Sequence, residues 1–190
     1  IELMGGKEKF TQELDYFFSN DLYNHGNQPD LHAAFLFNYA GAHWLTQKWV
    51  RTILTHPMTQ LYGTHEFFEE PIHDRIYKDT PDGYLREMDD DCGCMAAWYA
   101  MSAMGLYQVC PGDPVYQLTA PIFEKVTLKL DSDIYPGAEF TIRAEGLSDE
   151  NIYIQSATLN GQPFHKSWIS HKEIVQGGEL VFQMGNEPKK

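Results

Sequence analysis

Residues 85–107 read LREMDDDCGCMAAWYAMSAMGLY. Three carboxylates, Asp89, Asp90 and Asp91, stand in a row directly before a run of small, aromatic and sulfur-bearing side chains. Charge repulsion and desolvation both oppose that placement, so something must offset it. Two chemistries do. A helix starting at the apolar run offers free N–H groups and partial positive charge, and at least one aspartate is stabilised there as a cap. Alternatively, Asp89 and Asp91, one residue apart on a turn, point at a common water or cation. One then acts as a base while the other orients the water or holds a metal. The local pattern leaves both readings open. An EF-hand is excluded: counting from Asp89 puts Cys94 where the loop needs glycine, and counting from Asp131 puts Pro136 there and Ile142 where a glutamate belongs.

A second constellation is HGNQPDLHAAFLFNYAGAHW, residues 25–44. Asn27 and Gln28 carry neutral oxygens ahead of Pro29, and His32 follows about one turn later. In the plain reading Asn27 caps, Pro29 opens the first turn and His32 is a polar residue on a packed face. In the chemical reading the amide oxygens of this turn and a carboxylate of the acidic turn share a hard cation. Trp44 and Trp98 either stack on a sugar face or fill a core. The chemical reading requires the two turns to meet across one hollow.

The elements that must position these residues fall into two groups. Phe10, Leu14, Phe17 and Phe18 repeat with helical spacing. A second helix is expected from Pro29 to about Tyr39, stopping near Gly41, and a third through Leu45, Trp49, Val50, Ile53 and Leu54, ending before Pro57. Residues 57–84 are mixed and turn-rich, with TPDGY as a marker. Met95 to Met104 is apolar nearly all round, which predicts a helix buried on every side. From about residue 115 the period becomes two. Val126, Leu128 and Leu130 alternate with polar residues, as do Phe140, Ile142 and Ala144. Further strands are expected at Ile152–Ile154 and Leu180–Met184. Asn160-Gly161 predicts a type I′ hairpin, and Ser170 a cap on one short helical turn.

Composition narrows the function. The formal net charge is −13, and phosphate neutralisation needs clustered Lys and Arg, so a nucleic-acid partner is not expected. A neutral substrate or a bound cation suits an acidic chain better. No apolar run is long enough to span a bilayer, and the opening IELMGGKEKF has neither the basic nor the apolar region of a signal peptide. Cys92, Cys94 and Cys110 lack the spacing of a zinc or thioredoxin motif and read as free or buried thiols.

Taken together, GNQPDLH…FLFNYAGAHWLTQKWVRTIL and TPDGYLREMDDDCGCMAAWYAMSAMGLYQVCPGDPVY resemble the C-terminal part of glycoside hydrolase family 92, calcium-dependent exo-acting α-mannosidases. The tail NIYIQSATLNGQPFHKSWISHKEIVQGGELVFQMG is similar to the family's closing β region. The resemblance implies an α+β chain: helices from the C-terminal part of an (α/α) barrel over residues 1–114, then an antiparallel β-sandwich-like unit over 115–190. It implies that Asp91 is the general base and that Asp89 assists it. Asn27 and Gln28, in the place of a Gly-Asn-Glu-Pro motif, would coordinate calcium together with Asp91. Here Gln28 replaces the motif's Glu, keeping an oxygen but losing a charge. His32 and Trp44 are the expected sugar contacts. Met88 stands where glycine is usual, and Cys92 and Cys94 where polar residues are common. The general acid is expected upstream of the Gly-Asn-Glu-Pro position. Glu66, Glu69 and Glu70 match no acid motif and read as a solvated face, so the chain alone is expected to hydrolyse little. The implied substrate is a mannose-containing glycan and the implied compartment secreted or periplasmic, with self-association or contact with an upstream domain as the expected protein partner. The rival reading from another class is a non-catalytic carbohydrate- or calcium-binding module.

Overall fold

The computed structural model describes residues 1–26, 28–60, 70–86 and 88–190. The chain forms two compact units, Ile1–Ala100 and Met101–Lys190. The fold is α+β, as expected.

In the first unit, α1 (Lys7–Ser19) places the predicted stripe inward: Phe18 is buried and stacks on Trp49 with ring centroids 5.0 Å apart. Phe10, Leu14 and Phe17 are half-buried. The indole N–H of Trp49 donates to Asp15 Oδ1 at 2.7 Å, which pins α1 to α3 (His43–Thr55). Thr55 ends α3 because His56 precedes Pro57 and adopts an extended backbone (φ −118°, ψ 155°), as proline's ring demands of the residue before it. A short hairpin follows, β1 (Pro57–Gln60) with β2 (Ile72–Arg75).

The helix expected from Pro29 to Tyr39 is broken. Two 3₁₀ turns, Gln28–Asp30 and Ala33–Phe35, precede α2 (Leu36–Ala40), which stops at Gly41 with φ 87°. The reason is a diverted carbonyl. Leu31 O accepts the Trp98 indole N–H at 2.8 Å, while Phe35 N–H turns to His32 O at 3.0 Å, one residue short of an α-helical bond.

The apolar run forms α4 (Cys94–Met104), but burial on every side does not hold. Met95, Trp98, Ser102 and Ala103 are buried, whereas Ala96, Ala97 and Ala100 are exposed. Alanine is apolar yet tolerates solvent at little cost and favours helix anywhere, so composition alone overstates burial.

In the second unit a three-stranded sheet joins β3 (Leu106–Tyr107), β4 (Val115–Leu118) and β9 (Trp168–Ser170). A five-stranded sheet contains β5 (Lys125–Lys129), β6 (Glu139–Glu145), β7 (Tyr153–Leu159), β8 (Gln162–Pro163) and β10 (Gly178–Gly185) in the order β5-β6-β10-β7-β8. One pairing departs from the antiparallel expectation. The last strand enters between β6 and β7 and runs parallel to β6, with Leu180 opposite Ile142. This register joins Phe140, Ile142, Leu180 and Phe182, each at most 1% exposed, in one core. Each such side chain is worth roughly 1.5–3 kcal/mol on burial. The Asn160-Gly161 turn has φ 51° and 76°, the predicted type I′ geometry. Ser170 caps α5 (His171–Val175) in a full capping box with Glu173.

Candidate active site

The acidic turn assigns each aspartate a different task. Asp90 is the cap. Its Oδ1 accepts the Ala96 N–H at 3.0 Å, in the first turn of α4, and the Tyr84 hydroxyl at 2.8 Å. Its carbonyl accepts from Gly93 and Met95. Burial raises the pKa of the Tyr84 phenol, and the charge and hydrogen bond of Asp90 add to it. Asp89 is exposed, and its Oδ1 accepts its neighbour's N–H at 2.9 Å. Asp91, half-buried, opens three consecutive left-handed residues: φ is 46° at Asp91, 59° at Cys92 and 93° at Gly93. Non-glycine residues in that region are strained, and such strain persists where surrounding contacts over-determine it. The capping reading therefore holds for Asp90, while among the described residues neither Asp89 nor Asp91 makes a side-chain hydrogen bond to α4.

The amide-bearing turn meets this one. The main-chain N–H of Gln28 donates to Asp91 Oδ2 at 3.2 Å, across 63 positions of sequence. Trp98 and Leu31 add a second tie between the same segments. Gln28 itself is exposed. Asn27 lies outside the described residues, as do Glu66 and Glu69, while Glu70 is exposed.

His32 is exposed and Trp44 half-buried on the first turn of α3. Among the described residues no hydrogen bond or ring contact ties either to Asp89 or Asp91. Burial raises the pKa of Asp30, and an Asn24 backbone N–H and the nearby His32 offset only part of that rise. Trp98 is fully buried and stacks parallel to Tyr77, with centroids 6.1 Å apart. Of its two candidate duties it performs core packing. The three cysteines are free and exposed.

Behind the two turns lies a polar device that sequence reasoning missed. His25 is fully buried. The Tyr23 hydroxyl lies 2.5 Å from its Nδ1 and the Tyr77 hydroxyl 2.7 Å from its Nε2. Tyr77 has one hydroxyl proton and gives it to Met95 O at 3.0 Å. It therefore accepts at His25, which places the ring proton on Nε2 and leaves Nδ1 to accept from Tyr23. Burial keeps the imidazole neutral, with its pKa lowered to about 3. Tyr77 and Tyr84 flank the TPDG turn. Gly83, at φ 71°, closes it with its N–H on Thr80 O, and the two tyrosines bridge across it. The available signal was that pair of tyrosines flanking a strong turn sequence.

The donor chemistry at the meeting point is hard oxygen: the Asp91 carboxylate beside the amide-bearing turn. That suits calcium, which takes ~6–8 oxygen ligands. Among the described residues no group of three or more His, Cys, Asp or Glu side chains converges on one point, so the residues in view fit a share of such a shell. No helix among the described residues is long and apolar enough to cross a membrane.

The profile of the "Glycosyl hydrolase family 92 catalytic domain" matches residues 1–67 and 62–186. An "uncharacterized secreted glycosidase" of Arthroderma benhamiae is 32% identical over 98% of this chain and 21% of its own length. The solved family-92 glycosyl hydrolase ccman5 superposes with a TM-score of 0.89 at 32% identity, over 99% of this chain and 26% of that one. A family-92 inverting mannosidase from Bacteroides thetaiotaomicron VPI-5482 gives a TM-score of 0.79 at 33% identity, over 98% of this chain and 25% of its own. The chain thus spans about a fifth to a quarter of the length of these relatives. With family profile, sequence and fold in agreement, the chain belongs to glycosyl hydrolase family 92 and corresponds to the C-terminal part of its solved members.

Proposed function

We propose that this chain supplies the base-bearing part of an inverting, calcium-dependent α-mannosidase that removes terminal, α-1,2-linked mannose from glycans. The observation that carries the reading is the contact between Gln28 N–H and Asp91 Oδ2. It joins the two turns that the family resemblance singles out, and either turn alone is compatible with plain helix capping.

The chemistry follows from the residues. Inversion requires a base that takes a proton from water on the face opposite the leaving group. Asp91 suits that role because one oxygen is already held by a main-chain donor, leaving the other for the water proton. Asp89, exposed and two residues away, orients the same water. Asp90 is committed to Tyr84 and Ala96 and takes no part in proton transfer. Asp91, Gln28 and Asn27 would hold calcium. When bound, the ion would supply positive charge to sugar hydroxyls and favour ring distortion toward the oxocarbenium-like state. His32 and Trp44 are the sugar contacts of this reading. The acid belongs to no residue assigned in this chain, so the isolated chain hydrolyses little. Export to a secreted or periplasmic compartment accords with the secreted relative.

The test combines binding and turnover. Titration calorimetry with calcium chloride should show saturable binding that Asp91→Asn weakens by about tenfold or more. In a complete family-92 polypeptide carrying this segment, the same change should reduce mannose release from α-1,2-mannobiose by at least about a hundredfold. Turnover unchanged in Asp91→Asn refutes the base assignment. Strong mannose binding by the 190 residues alone, with no turnover in the complete polypeptide, indicates the module instead.

A further inference from the structure

The geometry points to His25 as a positioning residue for the Asp91 carboxylate, acting through the Tyr77 hydroxyl and the Met95 carbonyl. The inference rests on the reading of Asp91 given above and adds to it the part that holds Asp91 in place.

The Gln28–Asp91 contact is exposed, and a hydrogen bond open to water competes with solvent on both sides. The buried Trp98–Leu31 bond ties the same two segments, but it enters α4 seven residues after Asp91, beyond the left-handed run Asp91, Cys92 and Gly93. A second buried connection runs parallel to the exposed contact. His25 precedes Gln28 by three residues, and Met95 follows Asp91 by four. Between them every link is shielded from water: His25 and Met95 are fully buried and Tyr77 is 5% exposed. The order is Tyr23 hydroxyl to Nδ1, Nε2–H to the Tyr77 oxygen, and Tyr77 hydroxyl to Met95 O. Met95 closes the path onto the acidic turn, because its own N–H donates to Asp90 O at 3.3 Å. The other end is anchored too. The His25 main-chain N–H donates to Gln60 Oε1 at 2.8 Å, and Gln60 is 1% exposed.

The ring cannot tilt freely. Trp98 meets it edge to face at 4.5 Å and Tyr77 at 5.3 Å. The position calls for a neutral, rigid group with an acceptor at one end and a donor at the other. Neutral imidazole supplies both, and a glutamine amide supplies the same pair with less rigidity. Phenylalanine fills the space and supplies neither, removing the His25 partner from the Tyr23 and Tyr77 hydroxyls.

The test uses the full 190-residue chain and reads the contact itself. In ¹H–¹⁵N spectra the Gln28 amide should sit at a position that Asp91→Asn shifts, reporting the bond to the carboxylate. His25→Phe should move that amide to its Asp91→Asn position, and His25→Gln should leave it near wild type. If His25→Phe does not fold, Tyr77→Phe keeps the ring stack, removes only the linking hydroxyl, and should give the same shift. The ¹⁵N pattern of His25 at neutral pH should be that of the Nε2–H tautomer. Calcium affinity should fall about tenfold in His25→Phe or Tyr77→Phe and stay within about threefold of wild type in His25→Gln. A Gln28 amide unmoved in the folded Phe variants, or an Nδ1–H tautomer, overturns the inference. If wild type shows no calcium binding while the amide moves as expected, the calcium reading falls and the positioning role stands.

Discussion

Acid should unfold this protein partly through His25, and the size of the effect follows from its surroundings. The imidazole is fully buried, and burial lowers its pKa from 6.5 to about 3. The tautomer adds to the cost of charging it. A proton on Nδ1 faces the Tyr23 hydroxyl, which must then rotate and give up its role as donor. In the unfolded chain the same imidazole titrates near 6.5. Between pH 6.5 and pH 3 the unfolded state therefore binds more protons than the folded one, and stability rises with pH across that window. The contribution is fully present above pH 6.5 and is lost progressively as pH falls to about 3. The complete loss is about 5 kcal/mol, and the share lost between pH 7.5 and pH 5 is about 2 kcal/mol. That is a large fraction of the stability of a small domain.

The assay is urea unfolding followed by tryptophan fluorescence, with calcium chelated so that ligand binding adds nothing. Three of the four tryptophans, Trp44, Trp49 and Trp98, lie in the unit that contains His25, so the signal reports that unit. His25→Gln removes the titrating group while keeping a donor and an acceptor. Wild type should lose about 2 kcal/mol more than His25→Gln on going from pH 7.5 to pH 5. Other histidines and carboxylates titrate in both proteins and cancel. Equal losses in the two, within about 0.5 kcal/mol, would refute the reasoning, because they would mean that His25 takes up its proton as readily folded as unfolded.

Three further outcomes rest on particular contacts. Asp90→Ala should cost about 1–2 kcal/mol in urea melts, because it removes the side-chain acceptor of the Ala96 N–H at the start of α4. Asp89→Ala, which removes only an exposed local bond, should cost less than about 0.5 kcal/mol. Gly137→Ala should destabilise the second unit by more than about 2 kcal/mol in thermal melts, because a Cβ at that position would collide with the Gly177 nitrogen and the Gln176 carbonyl. A Gly137→Ala protein as stable as wild type would show that the backbone there separates freely.

Much of the fold could be read from residue order because its signals are local. Helical spacing marked α1 and α3, the proline after His56 marked where α3 stops, Asn160-Gly161 marked its turn, and Ser170 marked its cap. Each depends on neighbours within a few residues, where backbone sterics and nearby hydrogen bonds decide. The family resemblance was legible for the same reason, since its motifs are short stretches in fixed order. Tertiary structure decided whatever depends on partners far away in sequence. The Trp98 indole, 67 positions from Leu31, takes the carbonyl that a continuous helix after Pro29 would have used. The last strand lies parallel to β6 because of the path of the connection, which periodicity does not record. Above all, the sequence shows three identical carboxylates side by side. Only the folded chain brings Ala96 and Tyr84 to Asp90 and the Gln28 N–H to Asp91, because a carboxylate's role is set by the donors that reach it.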